Sequence, residues 1–177
     1  MNIILIGFRG VGKTSAGKLL AEQLGMEFID ADDIIESRVD CSISDFFLTK
    51  TDSAFRLIES DVINEISKLD AKIIATGGGA IMKYKNIRNL KRHGLVILLE
   101  ADLETIYNRI QMDDMVLKRR PKLVGHALHN ELKTLIDIRS HYYHSAADMV
   151  VDTCGKSIRV VVDEIIYLLK QNRHLDE

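Results

Sequence analysis

The chain has 177 residues, 46% of them hydrophobic and 28% charged, and a formal net charge of −2. That length suits one α/β domain with a substantial core, and the mixture excludes a disordered or fibrous chain. A nearly neutral chain lacks a broad nucleic-acid-binding surface, so any anionic ligand has to be held by a local cluster.

Ile3-Ile4-Leu5-Ile6 reads as a buried parallel strand, and the next eight residues, Gly7-Phe8-Arg9-Gly10-Val11-Gly12-Lys13-Thr14, fit G-x-x-x-x-G-K-[ST], a phosphate-binding loop. Gly7 and Gly12 let the backbone turn where a Cβ would clash, so successive N–H groups can point at phosphate oxygens. Lys13 carries an ammonium to the outer phosphates, and the Thr14 hydroxyl can enter a Mg²⁺ shell. Ala16, Leu19, Leu20 and Leu24 keep helical spacing, so the loop opens onto a helix N-terminus, with Gly25 as C-cap. A chance glycine-rich turn would not need the strand before it and the helix after it; both are present.

Glu27–Asp30 is a short second strand that runs into the acidic cluster Asp30-Ala31-Asp32-Asp33, and a helix then carries Ile34, Ile35 and Val39. Helices follow over Ser42–Lys50, with Ser42 as cap, and over about Asp52–Leu69. Lys72–Thr76 is strand 3, followed at once by Gly77-Gly78-Gly79. Strands 4 and 5 fall at Leu95–Leu99 and Met149–Val151, with helices near Lys83–His93, Asp102–Met112, His129–Ala146 and Ser157–Gln171. Cys41 and Cys154 form no C-x-x-C pair and read as small buried hydrophobes in a reducing compartment. Met1 leads straight into the first strand, leaving no room for a secretory leader, and no apolar run is long enough to span a membrane. A cytoplasmic protein is expected.

Strands alternating with helices imply a mostly parallel sheet covered on both faces, with ligands outside the strands' carboxyl ends. The phosphate loop, the acidic cluster and the triple glycine each end a strand, so all three are expected on one rim. Asp30 and Asp32 alternate across Ala31 and point the same way while the chain stays extended. One can hold Mg²⁺ through water while the other accepts a bond or a proton from a substrate hydroxyl; helix capping by Asp32 or Asp33 is the other reading. Three glycines in a row fit a ligand lying against bare backbone, or close helix packing. Arg56 and Glu59 are three apart on a helix, so Glu59 can hold the guanidinium. Lys118-Arg119-Arg120-Pro121 lies in a weakly periodic stretch of about 113–127, which reads as a mobile lid or as a solvated loop. The pairs His126/His129 and His141/His144 have spacing that could ligate a metal, but no third ligand accompanies them, and solvated helix faces are the simpler reading.

Taken together these pieces resemble the shikimate kinase family of phosphate-loop (P-loop) enzymes. The resemblance rests on Gly7–Thr14, Phe28-Ile29-Asp30-Ala31-Asp32, Phe55-Arg56-x-x-Glu59, Gly77-Gly78-Gly79, Arg120-Pro121, Arg139-x-x-x-Tyr143 and Val151-Asp152-Thr153, in family order along nearly the whole chain. It implies a single three-layer α/β/α domain with a five-stranded parallel sheet in the order 2-3-1-4-5, a helical substrate-binding segment at about 33–60 and a mobile lid. It also implies transfer of the ATP γ-phosphoryl to the 3-hydroxyl of shikimate, in the pathway towards aromatic amino acids, with Mg²⁺ as cofactor. Gly10, Val11, Gly12, Lys13, Thr14, Ser15, Arg109 and Arg120 would bind ATP, Arg109 by packing on adenine. Asp32, Arg56, Arg139 and the backbone of Gly77, Gly78 and Gly79 would bind shikimate, the two arginines clamping its carboxylate. Lys13, Asp32 and Arg120 would be catalytic, and Thr14 would ligate the metal with Asp30 holding it through water. A monomer is implied, with no nucleic-acid or membrane partner. The chain departs from the family at Lys122, where the lid has leucine, and at Ser140-His141-Tyr142, where proline is common. Gluconate or a nucleoside monophosphate as acceptor, and a non-catalytic nucleotide-binding module, are the competing expectations.

Overall fold

Every residue of β1 (Asn2–Ile6) is buried, as required of a strand paired on both edges and covered on both faces. The computed structural model describes residues 1–112 and 126–171. Around β1 lie β2 (Glu27–Asp30), β3 (Lys72–Ala75), β4 (Gly94–Glu100) and β5 (Met149–Asp152), all parallel, in the order β2-β3-β1-β4-β5. The helices are α1 (Lys13–Leu24), α2 (Ala31–Val39), α3 (Ile43–Thr49), α4 (Asp52–Ile66), α5 (Tyr84–His93), α6 (Leu103–Met112), α7 (His126–Ala146) and α8 (Ile158–Gln171), with a short 3₁₀ turn at Ala80–Met82. Packing of α1 on α8 and β3, and of α5 on α4 and β4, completes the three-layer α/β/α arrangement. Its core is a run of fully buried aliphatics from the three central strands, Ile4, Leu5 and Ile6 with Ile73, Ile74, Ile97 and Leu98.

Pairing register decides where the strands end. Asp30 of β2 and Leu5 of β1 both lie opposite Ala75 of β3, so these three carboxyl ends share one row. Thr76 N–H then donates to Leu5 O at 3.2 Å, the last bond before the chain leaves the sheet. The phosphate loop, the acidic cluster and the triple glycine therefore do emerge side by side on a single rim.

Local chemistry fixes the helix ends. Gly25 adopts φ 65° and its N–H caps α1 on Ala21 O, the left-handed conformation in which glycine carries no Cβ penalty. Ser42 accepts from Asp45 N–H and Thr51 accepts from Ala54 N–H, starting α3 and α4. The rings of Phe46, Phe47 and Phe55 meet at centroid distances of 4.9 to 6.2 Å and fasten α3 to α4. α7 begins earlier than its apolar spacing predicts, at His126 instead of His129. α4 stops short of the predicted Leu69 for a specific reason. The fully buried Asn2 side-chain amide donates to Ser67 O (3.2 Å) and Leu69 O (2.6 Å), and its oxygen accepts from Lys72 N–H (3.0 Å). This staple draws the turn out of helical geometry, and Ala71 takes φ 53° within it. Cys41 and Cys154 are free and half-buried, more accessible than core hydrophobes. Among the described residues no helix is long and apolar enough to cross a membrane.

Replacing Asn2 by alanine strands two carbonyls and one N–H at the start of the sheet. Asn2→Ala is expected to cost about 2–4 kcal/mol of stability, read from the urea midpoint; a midpoint equal to that of the parent would contradict the staple.

Candidate active site

The rim opens into a cleft of about 870 Å³. Its nucleotide end is shaped by a backbone that only glycine can follow at one point. Gly7 has φ +143°, and a Cβ there would lie 2.2 Å from Leu99 O, so the loop leaves β1 by passing directly under β4. Gly10, Gly12, Lys13, Thr14 and Ser15 line the cleft. Val11 does not: it is buried and turns into the protein beside Phe8 and Leu99, which leaves its bulk harmless to a ligand.

Lys13 Nζ donates to the carbonyls of Gly7 (2.9 Å) and Phe8 (3.0 Å). Burial lowers its pKa to about 8, against the pull of Asp32 and Asp30, with Arg139 lowering it further. A half-buried ammonium that the protein neutralises this incompletely favours an incoming anion. Beside it, Thr14 Oγ1 donates to Asp30 Oδ2 at 2.8 Å, pairing a hydroxyl and a carboxylate, the hard oxygen donors that suit Mg²⁺.

Asp30, and neither Asp32 nor Asp33, is the N-cap of α2: its Oδ1 accepts from Asp32 N–H at 3.0 Å. The helix starts at Ala31, so strand alternation does not orient Asp32; the first helical turn does, and it still places both carboxylates on the cleft. Asp32 Oδ1 lies 2.7 Å from where a Gly77 Cβ would be, and the Arg56 Nη1 and Nη2 atoms lie 2.5 and 2.7 Å from where a Gly79 Cβ would be. Close approach of the protein's own charged side chains therefore accounts for Gly77 and Gly79, whereas a Cβ at Gly78 would meet only ordinary contacts at 3.5 Å. Arg56 Nη1 bonds both Glu59 oxygens (2.9 and 2.8 Å) and Nη2 reaches Asp52 at 3.3 Å. Burial pushes the Glu59 carboxyl up, opposed by the Arg56 guanidinium. At 1% exposure Glu59 is a buried clamp on Arg56, not a solvated surface pair.

Arg139 comes from α7, stacks over the Phe8 ring at 5.7 Å and donates to Gly78 O at 3.4 Å. Arg109 is held at the opposite end of the cleft: Nη1 donates to Thr153 Oγ1 (2.9 Å) and Nη2 to Thr153 O (2.6 Å). Arg120 and the lid segment, apart from its last residues in α7, lie outside the described residues. Sequence reasoning missed Arg9, Thr76, Met112, Lys156, Ser157 and Ile158, which also line the cleft. Arg9 occupies a variable position of the loop pattern, and Lys156–Ile158 follow a strand with no motif to mark them. Among the described residues His129 pairs with Glu104 and His144 with Glu100, and no three metal-ligating side chains cluster there.

The chain as a whole is similar to proteins of one family. A family model described as shikimate kinase matches residues 9–170. The shikimate kinase of Symbiobacterium thermophilum is 38% identical over 171 residues, covering 97% of each chain. That of Hahella chejuensis is 37% identical over 172 residues, 97% of this chain and 88% of that one. Among solved structures, the shikimate kinase from Acinetobacter baumannii in complex with shikimate superposes with a TM-score of 0.89 at 35% identity, covering 97% of this chain and 93% of that one.

Because Lys13 is charged below about pH 8 and neutral above it, its attraction for phosphate is present in the lower range and lost as pH rises. ATP affinity by titration calorimetry is expected to be level below that point and to fall by up to roughly tenfold per pH unit above it; an affinity unchanged to about pH 10 would contradict the assignment.

Proposed function

The chain belongs to the shikimate kinase family, and from that premise we propose how its cleft divides the work of phosphorylating shikimate with ATP. The observation that carries the reading is the meeting of Asp32, Arg56, Arg139 and the triple glycine with the phosphate loop over one cavity. A donor triphosphate and a carboxylate-bearing alcohol fit there end to end.

At the nucleotide end, the loop from Gly10 to Ser15 cradles the phosphates with its N–H groups, and Arg109, braced by Thr153, packs on adenine. Thr14 would hold Mg²⁺ directly and Asp30 through water, which fits their shared hydrogen bond. The metal, when bound, neutralises charge on the outer phosphates. At the acceptor end, Arg56 and Arg139 clamp the shikimate carboxylate, Glu59 keeps Arg56 oriented, and the backbone of Gly77–Gly79 meets the ring oxygens. Asp32 orients the 3-hydroxyl. That oxygen forms a bond to the γ-phosphorus as the bond to the β,γ-bridging oxygen breaks, and the hydroxyl proton passes to Asp32. Lys13 exchanges its loop carbonyls for phosphate oxygens, and Arg120, assigned from its motif, adds charge to the transferring group. Residues of about 33–60 serve as the acceptor-binding segment and about 113–127 as the lid of a single domain. The chain works as a cytoplasmic monomer without nucleic-acid or membrane partners.

Coupled ADP release tests the reading directly: ATP, Mg²⁺ and shikimate together should give turnover, while release with gluconate or a nucleoside monophosphate but none with shikimate would overturn it. Asp32→Asn should lower kcat by roughly 10²–10⁴-fold with ATP affinity intact, and an unchanged kcat would remove the proposed role. Arg139→Ala should raise the shikimate KM by roughly 10–100-fold, whereas an effect confined to the ATP KM would move it out of the acceptor end.

A further inference from the structure

Tyr143 is a buried group beside the acceptor end that takes no part in the proposed transfer. Tyr143 lies on α7 at 5% exposure, four residues beyond Arg139 and so on the same face of the helix. Its hydroxyl donates to the carbonyl of Gly78. The same oxygen accepts Arg139 Nη1. A carbonyl oxygen has two lone pairs, and both donors here come from one helix. Two such bonds polarise the peptide they end on, and the other end of that peptide is the N–H of Gly79. Gly79 in turn is the residue whose missing Cβ makes room for Arg56.

On its other side the Tyr143 ring borders a small cavity of about 120 Å³, lined also by Phe8, Val11, Leu99, Ile106 and Ile136. The ring itself belongs to the buried core, so its hydroxyl bond ties that core to the turn. Phe8, which supports Arg139 from below, shares that cavity. The phenol is thus, with Arg139 itself, a link between that helix and the backbone turn at the end of β3.

We propose that Tyr143 is a positioning residue for the acceptor: by donating to Gly78 O it sets the triple-glycine turn and Arg139 in mutual register for the shikimate carboxylate and hydroxyls. It touches neither substrate nor nucleotide. The assignment rests on the reading of this end of the cleft as the shikimate site. It places Tyr143 outside the nucleotide half, so its loss should be felt by one substrate only.

Steady-state kinetics of Tyr143→Phe against the parent enzyme test this. The shikimate KM should rise about three- to tenfold, while the ATP KM and the thermal midpoint stay near those of the parent. A shikimate KM within twofold of the parent, or ATP and shikimate KM values rising together, overturns the proposal while leaving the reaction assignment intact. A parent enzyme that turns over ATP without shikimate dependence overturns both. Should the variant fail to fold, the unaltered protein labelled with ¹³C-carbonyl glycine gives the second reading. The Gly78 carbonyl resonance is expected to move on adding shikimate alone and to stay in place on adding ADP alone; the reverse pattern overturns the proposal.

Discussion

Two missing β-carbons hold the acceptor half of the cleft together. Asp32 and Arg56 occupy the volume that side chains at positions 77 and 79 would fill. A methyl group at either place would have to displace a charged group from its partners: Asp32 from a carboxylate cluster balanced against Lys13, or Arg56 from the buried Glu59. Breaking the Arg56–Glu59 pair would leave the buried Glu59 charge uncompensated, which is far more costly than the pair is worth when intact. The glycine turn thus acts less as a flexible loop than as a mould. Its shape is dictated by β3 ending in register with β1 and β2.

The nucleotide half is built on a different balance. Lys13 is half-buried, and its ammonium spends hydrogen bonds on two carbonyls of the loop that precedes it. Those bonds tie the loop backbone to the ammonium. They are weaker partners than phosphate oxygens, because a neutral acceptor does little to offset the desolvation that draws the pKa to about 8. The protein therefore keeps an incompletely offset cation in the lining of the cleft. Thr14 and Asp30, already hydrogen-bonded to each other across α1 and β2, hold the neighbouring oxygen donors in place without reorganisation.

Much of this was legible from residue order alone, and the reasons differ from part to part. The parallel sheet and the shared rim follow from regular alternation and from the rule that parallel strands present ligands at their carboxyl ends, whereas the strand order came from the family resemblance alone. The phosphate loop was readable because its geometry demands glycine at fixed spacing. Arg56 and Glu59 were readable because helical spacing brings them together, though their burial was not. The capping role went to Asp30 instead of Asp33 because the helix began one residue after the strand, a boundary that periodicity does not resolve. Arg9, Thr76 and the Lys156–Ile158 turn left no local pattern. Their place in the cleft comes from the tertiary route of the chain, as does the reach of Tyr143 to Gly78. The end of α4 at Ile66 was likewise hidden, since it depends on a single asparagine distant in sequence.

The central claim is that a phosphoryl donor on the loop and a hydroxy acid on the glycine turn face each other across one cavity. Paramagnetic relaxation measures this most directly: Mn²⁺ with ADP in place of Mg²⁺, and the proton resonances of bound shikimate as the reporter. Strong broadening of the shikimate ring protons, greatest at the carbon that bears the 3-hydroxyl and reversed by excess Mg²⁺, is the result this account predicts. Shikimate that binds with its proton lines unaffected by the bound Mn²⁺ would contradict it.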